Sequence, residues 1–268
     1  MTGATAGIGR AIAEALAAAG IGVAIVARDG ARGEQARLEI AAATGSQRVE
    51  LYEGDLSDMA SVRRLAAAVA ERRPALDILV HCAAVYTSRR SLTVDGYETM
   101  FATNVLGPFL LTNLLLDPLR AAEAARVIVL SAPSTSRLDF DDLQGERRFR
   151  SLSAFGASKA ADLLFAFELA RRLGDGPVTA NAVHPGLVRT NLMRQAPAPL
   201  RWAVRFVSAP PTRAAAGIVP LAVSPEFRGL SGRFFKAGRE IDAPAYTRDP
   251  EVARRLWAAC AVLCGLSA

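Results

Sequence analysis

The chain has 268 residues, 51% of them hydrophobic and 22% charged, with a formal net charge of +6; this is enough apolar material for one fully cored α/β domain, which often reaches about 200–250 residues. No apolar run approaches the roughly 18 residues of a membrane-spanning helix, and the N-terminus lacks a signal peptide's basic, apolar and small-residue segments, so the chain reads as soluble and cytoplasmic. Cys82, Cys260 and Cys264 have neither metal-ligand spacing nor an even count, so no metal site or disulfide framework is expected, and arginines scattered without interleaved aromatics point away from nucleic acid toward a solvated surface or a basic mouth for an anionic cofactor.

In chain order, the first feature is the turn Thr2-Gly3-Ala4-Thr5-Ala6-Gly7-Ile8-Gly9, followed by a helix over Ile8–Ala19. Glycines at these places let the backbone turn tightly and approach a pyrophosphate, with the helix N-terminus facing the negative charge. Gly3, Thr5, Ala6, Gly7, Ile8 and Gly9 are therefore cofactor-contact candidates. Such a turn normally follows a strand, yet here it starts directly after Met1. Either that strand lies outside the sequence, the reading we favour, or its central slot in the sheet is filled otherwise. An open slot would leave backbone groups of both neighbouring strands unpaired.

A strand over Val23–Ala27 leads into Arg28-Asp29, about 20 residues past the turn, where a residue should meet the adenosine ribose. A carboxylate at the strand end would repel a 2′-phosphate, whereas the Arg28 guanidinium would bind it, so NADP (NADPH) is expected over NAD, with nearby Asp29 as an opposing influence. Farther on come a helix over Ser61–Arg72, a strand over Ile78–His81, a helix over Gly96–Leu119, a strand over Val127–Ser131, a helix over Ala154–Leu173 and a strand over Val178–Val183. Strand alternating with helix implies a single α/β domain over 1–268, a doubly wound Rossmann-type parallel sheet flanked by helices. The proline-rich stretch from Ala196 to Pro211 reads as a loop over the site, within a segment 191–245 taken as substrate lid and C-terminal strand region.

These motifs together resemble the short-chain dehydrogenase/reductase family, whose glycine motif is TGxxxGxG, and the resemblance runs from Thr2 to the C-terminus. It implies that Asp55 and Leu56, in Gly54-Asp55-Leu56, contact adenine. It also implies that Cys82, Ala83 and Ala84 stand in the family's Asn-Asn-Ala-Gly turn, and that Asn104 supports a relay water beside a catalytic lysine. Pro185, Gly186, Val188 and Thr190, in Pro185-Gly186-Leu187-Val188-Arg189-Thr190, match the nicotinamide-side loop. The runs Thr93-Val94-Asp95-Gly96-Tyr97-Glu98, Gly107-Pro108-Phe109-Leu110-Leu111-Thr112, Asp142-Leu143-Gln144-Gly145-Glu146 and Arg255-Leu256-Trp257 are similar to the retinol-dehydrogenase and protochlorophyllide-reductase branch. That branch acts on lipophilic carbonyls and alcohols, so a small lipophilic substrate is expected.

The chemistry departs from this pattern at the catalytic pair. In the family a tyrosine four residues before a lysine donates a proton to the carbonyl, and the lysine lowers the phenol's pKa and binds the nicotinamide ribose. In Ser153-Ala154-Phe155-Gly156-Ala157-Ser158-Lys159 the lysine, Lys159, is present, but Phe155 takes the tyrosine's place and has no proton to give. In Leu130-Ser131-Ala132-Pro133-Ser134, Ala132 stands where the family has its substrate-binding serine, with Ser131 or Ser134 as substitutes if the strand end shifts. Tyr86 is a further phenol within reach of the pocket or of the packing, and His81 and His184 are candidates beside the nicotinamide or buried, satisfied imidazoles.

Three functions stay open. The first is an NADP-dependent oxidoreductase with a replaced or weakened proton relay; the second is a non-redox enzyme on the same fold, such as a dehydratase, cyclase or isomerase; the third is a non-catalytic NADP-responsive protein. Restoring the phenol by Phe155→Tyr should raise turnover about tenfold or more if hydride and carbonyl are already aligned. The short run Leu200–Phe206 reads as a lid, too weakly charged for stable membrane anchoring. Helices Gly96–Leu119 and Ala154–Leu173 are apolar around much of their circumference, which suggests a homodimer or homotetramer.

Overall fold

A computed structural model describes residues 1–188, 192 and 209–266. Helix α1 (Gly7–Ala18) leads to β1 (Val23–Ala27), then α2 (Gly30–Thr44) and β2 (Val49–Glu53). Next come α3 (Met59–Arg72) and β3 (Ile78–His81), then a short α4 (Thr99–Phe101), a π-helical segment (Ala102–Leu106), α5 (Gly107–Leu114) and α6 (Leu116–Arg120). Strand β4 (Ala125–Leu130), the long α7 (Ser151–Leu173) and β5 (Val178–His184) follow. The chain closes with α8 (Pro211–Val223), β6 (Phe234–Lys236), β7 (Arg239–Glu240), α9 (Ala245–Arg248) and α10 (Pro250–Leu263).

Strands β1 and β2 pair in parallel, as do β3 with β4, β4 with β5 and β5 with β6, while β7 returns antiparallel on β6. What joins β1 to β3 is a two-residue segment, Met1–Thr2, in the central slot. The Thr2 N–H donates to the Val80 carbonyl at 2.9 Å, and the Val26 N–H donates to the Met1 carbonyl at 2.9 Å. Thr2 thus bridges Val26 on one side and His81 on the other, both in parallel. The residues that open the glycine turn thus lie in that slot.

Capping follows the sequence. Asp29 starts α2 by accepting from the Arg32 N–H at 3.0 Å, and Asp58 starts α3 by accepting from the Ser61 N–H at 3.0 Å, each satisfying a backbone donor that a helix start leaves free. One face of the sheet buries Ile12, Leu16, Ile40 and Ile218 of α1, α2 and α8. The other buries Val62 and Leu65 of α3, Phe109 and Leu110 of α5, Leu163 and Phe167 of α7, and Leu256 and Trp257 of α10.

The helix expected over Gly96–Leu119 is not continuous. It starts at Thr99, widens into a π-turn over Ala102–Leu106 and breaks at Leu115. The cause is legible: Pro108 has no N–H to donate four residues back to the Asn104 carbonyl, so the α-helical ladder cannot close there. The expected strand Val127–Ser131 begins earlier, at Ala125, and ends at Leu130. Of the segment 191–245, the described part is helix α8 packed against α1 followed by β6 and β7 in the sheet; Leu200–Phe206 and the loop from Ala196 lie outside the described residues. Among the described residues no helix is long and apolar enough to cross a membrane.

The apolar circumference of α7 is covered within the chain. Helix α10 lays Trp257 against Phe109 (ring centroids 4.8 Å, edge-on) and against Phe165 (6.0 Å, stacked), and the Arg172 guanidinium sits 4.3 Å over the same indole. Because this aromatic contact joins three helices, Trp257→Ala should cost about 3–5 kcal/mol through transfer and cavity terms. Equilibrium urea unfolding would show this as a lowered midpoint with an unchanged slope; a loss under about 1 kcal/mol would mean that α10 contributes little to the fold.

Candidate active site

The glycine turn is held from below by Thr2, which the sequence reading left out of the site. Its Oγ1 accepts from the N–H groups of Cys82 and Ala83, both at 3.2 Å, so the turn and the end of β3 are fastened together. Gly3 lies at φ +71°, and a Cβ on it would stand 2.6 Å from the Ala83 nitrogen; a Cβ on Gly9 would overlap the Gly3 carbonyl oxygen. Only glycine allows this closure.

Helix α1 begins after Ala6, whose side chain offers no cap, and carries no acidic residue in its first turn. The first N–H recorded donating back along this helix is that of Arg10, to the Ala6 carbonyl; the groups of Gly7, Ile8 and Gly9 before it lack helical partners by geometry. With Thr5 and Ala6 at the lip, this is a cradle of free donors suited to a pyrophosphate. A dinucleotide fits the residues present.

At the adenosine end, the Arg28 side chain is 71% exposed and its Nε stands 3.9 Å from Asp55 Oδ2. It is thus exposed at the strand end while paired with Asp55. Asp29, the expected opposing group, is committed as the α2 cap. Asp55 accepts from the N–H and hydroxyl of Ser57, at 2.9 and 2.7 Å, while the Leu56 side chain is buried in the core.

Ala83 and Ala84 are half-buried at the end of β3, and burial pushes the Cys82 thiol up to about 12, so it stays protonated. On the nicotinamide side, Pro185 and Gly186 (φ +81°) turn the chain out of β5, and Val188 bridges to Ala209. Thr190 and Arg189 lie outside the described residues.

The π-turn places Asn104 at the centre of the site. Its Oδ1 accepts from the Val85 N–H at 2.8 Å, and its Nδ2 donates to the Val85 carbonyl and to Ser158 Oγ, both at 3.0 Å. Asn104 therefore couples the loop after β3 to α7, one residue before Lys159.

Ser131, one of the two serines expected near the strand end, has a buried Oγ that donates to the Lys159 carbonyl at 2.7 Å and so braces the lysine's backbone. Ser134 is better placed: a Cβ on Gly156 would lie 3.2 Å from its Oγ and would overlap the Ser136 hydroxyl, which puts both hydroxyls beside α7 next to Phe155.

Phe155 packs edge-on against Tyr86, with ring centroids 5.7 Å apart, in an apolar cluster with Met100, Val85 and Phe149. Tyr86 is buried and its hydroxyl donates to Ser151 Oγ at 3.0 Å, so this phenol packs against the empty tyrosine position without replacing its proton. His81 is buried against Thr112 (Nε2 to Oγ1, 2.7 Å). His184 is half-buried at the end of β5 and burial lowers its pKa.

Lys159 has a partner that the sequence reading missed. Its Nζ donates to Asp162 Oδ2 at 2.7 Å in a pair with side chains 9% and 5% exposed, and the same nitrogen lies 5.8 Å from the Phe155 ring centroid. Burial pushes the Asp162 carboxyl up to about 6, with Lys159 pulling the other way. The spacing of three residues on one helix face was the available signal.

A mostly parallel, doubly wound sheet with a glycine-rich turn ahead of α1, a π-kinked asparagine and a buried lysine defines a Rossmann-type oxidoreductase fold. The sequence matches the short chain dehydrogenase family over residues 1–200, and the chain belongs to that family, on its retinol-dehydrogenase branch. It is 37% identical to retinol dehydrogenase 14 of Mus musculus, over 99% of this chain and 85% of that one. It is 39% identical to polyprenol dehydrogenase of Mus musculus, over 96% and 81%. A short chain dehydrogenase from Burkholderia cenocepacia J2315, solved in complex with NADP, superposes with a TM-score of 0.69 at 30% identity, covering 89% of this chain and 96% of that one.

The buried histidine makes stability depend on pH. Burial lowers the His81 pKa from 6.5 to about 3, so acidification through that window protonates the unfolded chain first. The stability due to neutral His81 is complete above about pH 6.5 and drains at about 1.4 kcal/mol per pH unit toward 3. Asp162 acts oppositely, since its folded pKa is raised from 3.8 to about 6 and acid then favours the folded chain. Urea unfolding of the wild type and of His81→Gln at matched pH values isolates the histidine: the variant should lose less stability between pH 6.5 and 5, and parallel curves would refute the assignment.

Proposed function

We propose that this protein binds NADP(H) in preference to NAD(H) and catalyses slow redox interconversion of a lipophilic carbonyl and its alcohol, through a proton relay that lacks a phenol. The observation that carries the cofactor half is the combination of an uncapped α1 N-terminus with an exposed Arg28, whose guanidinium reaches Asp55, while Asp29 caps α2. A bound nicotinamide would supply or accept the hydride. The chain's own residues then have separable tasks. Gly7, Ile8 and Gly9 would hold the pyrophosphate, Arg28 the 2′-phosphate, and Lys159 the nicotinamide ribose with the donors that Asp162 leaves free.

The apolar cluster of Phe155, Phe149, Val85 and Met100 supports a lipophilic substrate, as do relatives named for retinol and polyprenol. Ser134 and Ser136 are the hydroxyls placed to meet the substrate oxygen. Ordered water reached from Lys159 is the remaining proton source, because Phe155 has none and Tyr86 is committed to Ser151. Loss of a general acid typically slows such chemistry by on the order of 10²–10⁴.

NADPH should raise the melting temperature more than NADH at equal concentration, and Arg28→Ala should narrow the difference in affinity by about tenfold. Equal stabilisation by both nucleotides in the wild type would refute the preference, and no stabilisation by either would overturn the reading. With cofactor shown to bind, NADPH absorbance should fall slowly but measurably with lipophilic ketones or aldehydes. The missing acid also favours a second reading, a non-redox reaction in the same pocket. Product masses distinguish the two: a change of two hydrogens marks redox chemistry, and conversion without it, independent of nicotinamide, marks the alternative.

A further inference from the structure

We propose that Asp162 is a positioning residue that neutralises Lys159, so that the lysine holds ribose hydroxyls but exerts no net charge on the position occupied by Phe155. The inference rests on the reading of this site as an altered tyrosine–lysine relay, and it accounts for two departures with one electrostatic change. In such a relay the ammonium makes the phenol a stronger acid by favouring its charged form. Here a carboxylate lies 2.7 Å from that ammonium, both groups are almost fully buried, and both sit on the helix that carries Phe155. Seen from the ring, whose centroid is 5.8 Å from Nζ, the two charges form a dipole whose field falls off faster than that of a lone cation.

A buried ammonium with no phenolate to serve would be costly without a counter-charge, and Asp162 provides one. The carboxylate takes one of three ammonium donors, which leaves two for ribose hydroxyls. Ser131, donating to the Lys159 carbonyl, fixes the backbone from which the lysine reaches.

Other ionisable groups around the pair do not supply the balance. The Cys82 thiol at the end of β3 interacts with Lys159 but is held protonated, with a pKa near 12. The amino group of Met1 acts on Cys82 and His81, and His184 at the end of β5 feels Lys236. Among the described residues it is Lys159 whose charge acts on Asp162, and the Asp162 carboxyl, raised to about 6, is ionised at neutral pH.

It follows that restoring the phenol alone does not restore the relay, which revises the expectation drawn from sequence. The test is the ultraviolet titration of the phenol introduced by F155Y, taken as the difference from the wild-type protein, which needs neither nicotinamide nor substrate. In F155Y that phenol should ionise at or above the ordinary tyrosine value of about 10. In F155Y/D162N it should ionise at least one pH unit lower, a tenfold change in its equilibrium. Circular dichroism and melting curves check that each variant is folded.

If D162N does not fold, F155Y/K159M/D162N replaces the ion pair by a neutral one, and its phenol should titrate within about 0.3 units of that in F155Y. A phenol already depressed by a unit in F155Y overturns the proposal. So does a folded F155Y/D162N with no further drop, or a triple variant whose phenol titrates a unit higher than in F155Y. NADPH-dependent turnover is read separately: under about threefold gain for F155Y, and at least tenfold more for F155Y/D162N. A phenol that shifts as stated while turnover stays flat would count against the redox reading and leave the charge balance standing.

Discussion

Two residues of backbone hold the centre of this sheet. Met1 and Thr2 accept from β1 and donate to β3, while the Thr2 hydroxyl accepts from the N–H groups of Cys82 and Ala83. Polar groups in the middle of a sheet cost free energy when unpaired, so each of these bonds pairs a backbone group of a neighbouring strand and together they fix the glycine turn in one place. The close approach of Gly3 to Ala83 and of Gly9 to Gly3 then follows, and with it the direction of the α1 N-terminus. The cofactor cradle depends on that contact.

The opposite wall of the site depends on a broken helix. Pro108 withholds a donor from the Asn104 carbonyl, the backbone relaxes into a π-turn, and the Asn104 side chain ties the loop after β3 to Ser158 on α7. These bonds need neither a tyrosine nor a serine in the usual chemical positions. The scaffold of a proton relay therefore persists around Phe155 and Ala132. Phe155 keeps the ring contact with Tyr86, and Lys159 keeps its place through Ser131 and Asp162.

The family and its fold were legible in the sequence because they reside in local chemistry: glycines where backbone must touch backbone, apolar strands alternating with amphipathic helices, Arg28 at a strand end, and Phe155 four residues before Lys159. Helix α10 was less so, although Asp249-Pro250 is a recognisable start and Trp257 a strong anchor, because its apolar face has meaning only against α5 and α7. The same contact covers part of α7 within the chain.

What the sequence by itself determined is which atoms are present: no phenol at residue 155, a lysine four residues on, and an arginine at the end of β1. What only the tertiary structure decided is where shared groups spend their hydrogen bonds. Asp29 went to a helix cap, Ser131 to the Lys159 backbone, Tyr86 to Ser151 and Asp162 to the Lys159 ammonium. Each of these side chains has more than one chemically reasonable partner: Asp29 and Asp162 settle on groups three residues away in their own helices, whereas for Ser131 and Tyr86 the choice is made by packing that brings distant segments within about 3 Å of each other.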